Sequence, residues 1–346
     1  MSVRTYPFDL EYVQKRGMGL TPVTVPRVDD RYILGIGLSS RCNFQCPICY
    51  YHAPDGEISG QDMDIGLLTE ILSSLPRLAR IVIGLEGEPL LHKQFFNAIS
   101  IMAKHANELV LITNASLLTE EYSKFLLHIS LPYILLSIDA ADAENYARFR
   151  RGGNFDQFLR NVEAALALGH KAVLHATVFR ENLGTLLELP ALAHRLGLNC
   201  ISLQQLRAHP GSARRGMHPT GQQELEDWFA RLVVKASIHN IQIMPDRFFG
   251  GPEFHAQLCA QSLRENLLLV EKMPQRQCPH AENFAGIMAD GSLFPCAGDY
   301  APVPLENYSF DAIFNHPYLQ KLRAFHRYGV DNPACTICMN KSEALS

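Results

Sequence analysis

The chain has 346 residues, enough for about two domains at ~150 residues each, and its 47% hydrophobic and 19% charged content is that of a globular protein rather than a disordered or fibrous one. A formal net charge of -4 with no long Lys/Arg block gives no footprint for a nucleic-acid partner, and no apolar run approaches the ~20 residues of a membrane span. The amino terminus, MSVRTYPFDLEYVQKRG, lacks the apolar core of a signal peptide, so the expected home is the reducing cytoplasm, where nine cysteines point to metal ligands rather than disulfides.

Residues 1–32 are polar and proline-punctuated and read as an extended or part-helical lead-in, too few for a separate recognition domain. A short apolar run then opens ILGIGLSSRCNFQCPICYY (33–51) and predicts a buried strand that delivers Cys42, Cys46 and Cys49 onto a loop at its carboxyl end. An alternation follows. Helices are predicted over Ile65–Leu75, Phe95–His105, Glu120–His128, Phe155–Leu168 and Leu186–Leu196, and strands over Arg80–Leu85, Glu108–Thr113, Tyr133–Ile138, Ala172–Phe179 and Cys200–Leu206. Six strand and helix units of about thirty residues argue for an α/β fold with a parallel sheet, curled into a partial (β/α)6 barrel or doubly wound. Such sheets place their chemistry at the carboxyl ends of the strands, where the three-cysteine loop falls. After a helix over Glu224–Ile238 and a strand over Ile241–Met244, DRFFGGP (246–252) reads as a linker, and cysteine density rises beyond it. The expected division is therefore 1–32 lead-in, 33–245 barrel and 246–346 a small α+β domain.

Thiolates suit iron-sulfur clusters or zinc, and the CxxxCxxC spacing lets one loop wrap one centre. Three ligands are one short of a closed four-coordinate site, which leaves one iron of a four-iron cluster open; a zinc knuckle or a disulfide framework is the alternative. Polar residues recur at the following strand ends. Glu88 sits in GLEGEPLLH, fixed by Gly87 and Pro89, and is suited to accept from an ammonium group; Thr113 and Asn114 end the third strand, Ser137 and Asp139 the fourth. His175 and Arg180 flank the fifth, and Gln204, Gln205 and Arg207 end the sixth, at the mouth that faces substrate. Each taken alone is equally a solvated turn residue.

The cysteine loop resembles that of the radical S-adenosylmethionine (SAM) enzymes. The resemblance implies a 4Fe-4S cluster on Cys42, Cys46 and Cys49 whose open iron chelates SAM and cleaves it to a 5′-deoxyadenosyl radical, with a flavodoxin or ferredoxin type of reducing partner. Gly87 and Glu88 resemble the GGEP motif that holds the SAM amino group, with Glu86 standing where the family usually has its first Gly. Asn114, Ser137 and Asp139 resemble the positions that approach the methionine and ribose portions. Ile48 replaces the aromatic that often contacts adenine, with Tyr50 adjacent.

A second set comprises Cys278, Cys296, Cys335 and Cys338. Asp290-Gly291 predicts a hairpin that returns Cys296 towards Cys278, and a helix over Phe310–Tyr328 brings the terminal CxxC round to meet them. Four thiolates close a site, either a zinc ribbon or a cluster. The pattern C-x12-G-x4-C, Glu306-Asn307, Arg323 and CxxC is similar to the SPASM/Twitch extension of radical SAM enzymes, in its Twitch form, and implies one auxiliary 4Fe-4S cluster. Cys200 reads as a buried small hydrophobe, and Cys259 either as structural or as a hydrogen donor to a substrate radical. The leading expectation is hydrogen abstraction from a small polar molecule, sugar-like or aminocyclitol-like, giving oxidation or, through Cys259, epimerisation. A ribosomal-peptide maturase is the second reading and a non-catalytic zinc protein the third.

Overall fold

The computed structural model describes residues 15, 18–49, 60–206, 222–245, 279–295 and 302–328. Among these residues nine strands form one sheet: β1 (Ile33–Ile36), β2 (Leu78–Ile83), β3 (Ala106–Thr113), β4 (Ile134–Ser137), β5 (Ala172–Val178), β6 (Cys200–Gln205), β7 (Gln242–Pro245), β8 (Phe284–Ile287) and β9 (Leu293–Phe294), in the order 7-6-5-4-3-2-1-8-9. Every neighbouring pair from β7 to β8 is parallel, and only β8 and β9 run antiparallel. Parallel strands need crossovers, and the helices that supply them bury one apolar face each, for example Phe155, Phe158, Val162 and Ala165 of Phe155–Ala167. Leu34, Ile36, Ile81, Ile83, Leu109, Leu111, Leu174 and Ile201 are almost wholly buried, as expected for strands covered on both faces.

The sheet is curled rather than flat. One cavity touches strand ends from β2 to β6 and also Phe294 of β9, although β9 and β6 are seven strand spacings apart, about 34 Å in a flat sheet. The architecture is thus a mostly parallel α/β sheet wound into a partial barrel, and it exceeds six strands. β8 hydrogen-bonds alongside β1, pairing Ile33 with Phe284 through Ile36 with Ile287, so the sheet runs on across the expected boundary at 245/246. The hairpin is present: Met288 N–H donates to Ser292 O at 2.9 Å, and Gly291 takes the positive φ of 85° that the turn requires.

Three local differences have simple causes. Ala143–Phe149 is an additional helix, started by Asp142, whose side chain accepts from Asn145 N–H at 2.9 Å. The helix expected over 186–196 is two short pieces, Leu183–Leu186 and Leu189–Arg195, the second with Pro190 in its first turn. The helix expected over 310–328 breaks into Phe310–Phe314 and Pro317–Tyr328, because proline cannot donate to the turn before it and restricts its predecessor. Asn315 at that break bonds both the N–H and the C=O of Val25, at 2.8 and 2.9 Å. Arg323, 1% exposed, spends its guanidinium on the carbonyls of Ala281, Val23 and Phe314 and on Asn315. The end of the lead-in is thereby stitched to the last helix. Among the described residues no helix is long and apolar enough to cross a membrane.

Candidate active site

The three cysteines follow β1 on a loop held from several sides. Asp62 accepts from Ser39 Oγ at 2.8 Å, from the Arg41 guanidinium at 2.7 Å and from Lys93 N–H at 3.1 Å, fixing the entry to the loop. Asn43 donates to Ser116 Oγ at 2.8 Å and accepts from Asn114 at 3.0 Å, while Gln45 N–H reaches Arg151 O at 2.8 Å. Phe44 N–H points at Cys42 Sγ, 3.4 Å away, and Cys49 N–H closes a turn on Cys46 O at 2.9 Å. Cys42, Cys46 and Cys49 line one cavity of about 410 Å³, and no disulfide joins them.

The donor set fits an iron-sulfur cluster. Among the described residues no three His, Cys, Asp or Glu side chains are drawn together closely enough to share a single metal ion. The three thiols line one cavity together, an arrangement a multi-iron cluster can use. Burial pushes the Cys42 thiol up to about 12 and Cys46 up to about 11, so both are neutral thiols until a metal displaces their protons.

Glu88 and Gly87 follow β2. Glu88 N–H donates to Arg41 O at 2.8 Å, tying this turn to the cysteine loop. Gly87 has φ of 57°, and a Cβ there would overlap the Ser39 carbonyl oxygen and lie 2.5 Å from that of Arg41, so only glycine lets the two loops touch. The Glu88 carboxylate accepts from Thr113 Oγ1 and Asn114 N–H, both at 2.7 Å, and from Leu90 N–H at 3.2 Å. Burial raises it to about 7 against the pull of these donors.

Arg150 is the site residue that the sequence did not single out. It enters from the loop after Ala143–Phe149 and lines the cavity, with Nε 2.6 Å from Asp139 Oδ2. Burial opposes its charge, but the Asp139 carboxylate outweighs that and holds the guanidinium above its ordinary value. Asp139, expected near the SAM ribose, is fully buried at the cavity wall with both oxygens engaged, Oδ2 by Arg150 and Oδ1 by Thr177 N–H at 2.8 Å. In this structure it positions Arg150. His175 pairs with Ser202 Oγ at 3.0 Å and is lowered to about 4 by loss of hydration and by Arg150, so it is neutral.

Asn114, Ser137, His175 and Gln204 all line the same cavity. Arg180 does not: it is exposed and opens the short 3-10 turn Arg180–Asn182. Ile48 lines the wall together with Phe44, an aromatic from within the loop itself. Tyr50, Arg207, Cys259, Cys278, Cys296, Cys335 and Cys338 lie outside the described residues. Cys200 is buried on β6, away from the cavity lining.

The radical SAM superfamily model matches residues 36–193. Among curated proteins, the tungsten-containing aldehyde ferredoxin oxidoreductase cofactor-modifying protein of Pyrococcus furiosus is 25% identical over 275 residues, covering 76% of this chain and 70% of its own length. The GTP 3',8-cyclase of Mesorhizobium japonicum is 26% identical, over 77% of this chain and 79% of its own. Mycofactocin maturase MftC of Mycolicibacterium smegmatis is 26% identical over 59% of this chain, which spans 55% of that relative. Among solved structures, Streptococcus suis SuiB superposes with a TM-score of 0.60 at 15% identity, over 78% of this chain and 60% of SuiB. The anSMEcpe structure with bound AdoMet superposes at 0.57 and 18% identity, over 76% of this chain and 74% of its own. These structures share the fold, and the matched family's cofactors are a 4Fe-4S cluster and SAM. With its three-thiol loop at the mouth of a parallel partial barrel, this chain carries a domain of the radical SAM superfamily across residues 36–193.

Proposed function

We propose that this radical SAM enzyme modifies a peptide, abstracting a hydrogen atom from one of its C–H bonds. The observation that carries the choice is the charge of the cavity. Arg150 is the only Lys or Arg among its described lining residues, and Asp139 already neutralises it. A nucleoside triphosphate, the kind of substrate named for the cyclase relatives, asks for several cations. A peptide, the kind of partner with which SuiB was solved, carries no run of phosphates to neutralise. Oxidation or epimerisation of a sugar or aminocyclitol receives no support from these relatives.

When bound, the cluster and SAM supply the 5′-deoxyadenosyl radical. Cys42, Cys46 and Cys49 would hold the cluster; Glu88, presented by Gly87, would take the SAM amino group; and the remaining donors of Arg150 would suit one carboxylate, that of the methionine portion. Asn114 and Ser137 complete the polar wall, and Phe44 and Ile48 would offer the adenine an apolar surface. His175 and Gln204 face the substrate, neutral and able to hydrogen-bond an amide. We assign residues 33–245 to the barrel, whose sheet β8 and β9 extend, and 246–346 to an auxiliary unit in which Cys278, Cys296, Cys335 and Cys338 would hold a second cluster suited to electron transfer.

Anaerobic reconstitution followed by co-expression with short open reading frames adjacent to the gene tests the reading. The expected result is 5′-deoxyadenosine together with a mass change in one encoded peptide. SAM cleavage that alters a small metabolite and no peptide overturns it.

A further inference from the structure

Three carboxylates line the cavity, and two are accounted for: Asp139 is paired with Arg150, and Glu88 accepts three hydrogen bonds. Glu86 is different. It is 7% exposed, and among the described residues its carboxylate accepts from Ala289 N–H, to Oε1 at 2.6 Å, with no cation paired to it. An ionised carboxylate removed from water without a counter-charge is destabilising. The fold nevertheless makes room for this one. Gly37, just after β1, leaves the space its Cβ would fill, a point 2.5 Å from Glu86 Oε1 and 3.1 Å from Ala289 N. Glu86 also stands where the family motif usually carries glycine, so the carboxylate is an addition to the common site.

The two glutamates leave the 84–88 turn in opposite directions. Glu88 turns towards β3, to Thr113 and Asn114, and Glu86 towards β1 and the β8–β9 hairpin, to Gly37 and Ala289. A group held by Glu86 is therefore on the far side of the turn from Glu88. Burial, opposed by Ala289 N–H and helped by the negative charge of Asp290, holds Glu86 up at about 7, so it is poised to become the anion when a cation arrives.

We propose that Glu86 is a specificity-determining residue that receives a primary ammonium group of the substrate. A compact ammonium needs only one carboxylate oxygen, whereas a bidentate guanidinium would have to share Oε1 with Ala289 N–H. In a peptide the ammonium is a lysine side chain or a free amino terminus. The inference rests on the reading that this cavity takes a substrate beside SAM, and it specifies the chemistry of that substrate.

The test uses the full chain, anaerobically reconstituted and loaded with SAM. Its probes are acetyl-Gly-Lys-Gly-amide, the norleucine counterpart, and hexylammonium against hexanol. The wild type is expected to prefer the ammonium member of a pair by about tenfold, the scale of one charge-assisted hydrogen bond. Glu86→Gln keeps an oxygen for Ala289 N–H and is expected to erase that preference, and Gly37→Ala, which displaces the oxygen, to weaken it. A preference for hexylammonium without one between the tripeptides supports Glu86 as the ammonium site while overturning the peptide reading. The inference is overturned by equal binding within both pairs in the wild type, by a preference that survives Glu86→Gln, or by a loss of SAM affinity in Glu86→Gln, which would make Glu86 a cofactor ligand.

Discussion

Replacing Arg150 by Met removes the counter-charge of a carboxylate that has no solvent exposure. Asp139 and Arg150 are 2.6 Å apart, a Coulomb attraction of roughly 6 kcal/mol at an effective dielectric of about 20. With Arg150 gone, Asp139 retains only Thr177 N–H, and breaking a buried pair in this way costs about 3–5 kcal/mol. Adding Asp139→Asn keeps an acceptor for Thr177 and removes the stranded charge, so the double variant should recover about 2 kcal/mol or more of the loss. Urea unfolding under anaerobic conditions, followed by circular dichroism at matched iron content, measures both differences. The argument is refuted if Arg150→Met lies within about 0.5 kcal/mol of the wild type, the range of an ordinary surface change, or if the double variant is as unstable as the single one.

Gly87→Ala should cost stability by about 2 kcal/mol or more, from the left-handed backbone and the overlap with Ser39, and should weaken SAM binding as the two loops separate; calorimetric titration with SAM reads the second effect. Replacing Cys42, Cys46 or Cys49 by Ala should abolish 5′-deoxyadenosine formation, whereas Cys200→Ala, in a buried apolar strand, should leave iron per chain unchanged; assays of iron, sulfide and nucleoside decide both. Glu86 titrates near 7 when folded and near 4.5 when unfolded, so the native state holds the extra proton between these values and stability falls as pH rises through that window. Glu86→Gln should lack this slope, and its stability relative to the wild type should rise by about 3 kcal/mol between pH 4 and pH 8 in urea melts. A parallel pair of curves would refute the burial of that charge.

Much of this site was written in local patterns that a single chain segment carries. The CxxxCxxC loop after an apolar strand, Gly87-Glu88 after the next, and the polar ends of the third and fourth strands are each legible because strand, turn and side chain are contiguous, and parallel βα units bring all carboxyl ends to one rim. The helix Phe95–His105 matches its expected bounds because its apolar period is strong. Boundaries shifted where a single residue intervened, as at Pro317.

What required tertiary structure is pairing between distant residues. Arg148, Arg150 and Arg151 are alike in sequence; only the packing of their loop against the cysteine loop turns Arg150 inward to Asp139 while Arg151 is exposed. Nor does any local signal place Phe284–Ile287 beside Ile33–Ile36, some 250 positions earlier, since strand partnering depends on which sheet edge is left open once the barrel has wound. That pairing brings Ala289 against Glu86 and gives the residue that departs from the family motif a partner on one oxygen at the cavity wall. Sequence alone determined which residue types stand at the strand ends; the closure of the sheet decided which of their charges are neutralised within the protein and which one is left facing the cavity.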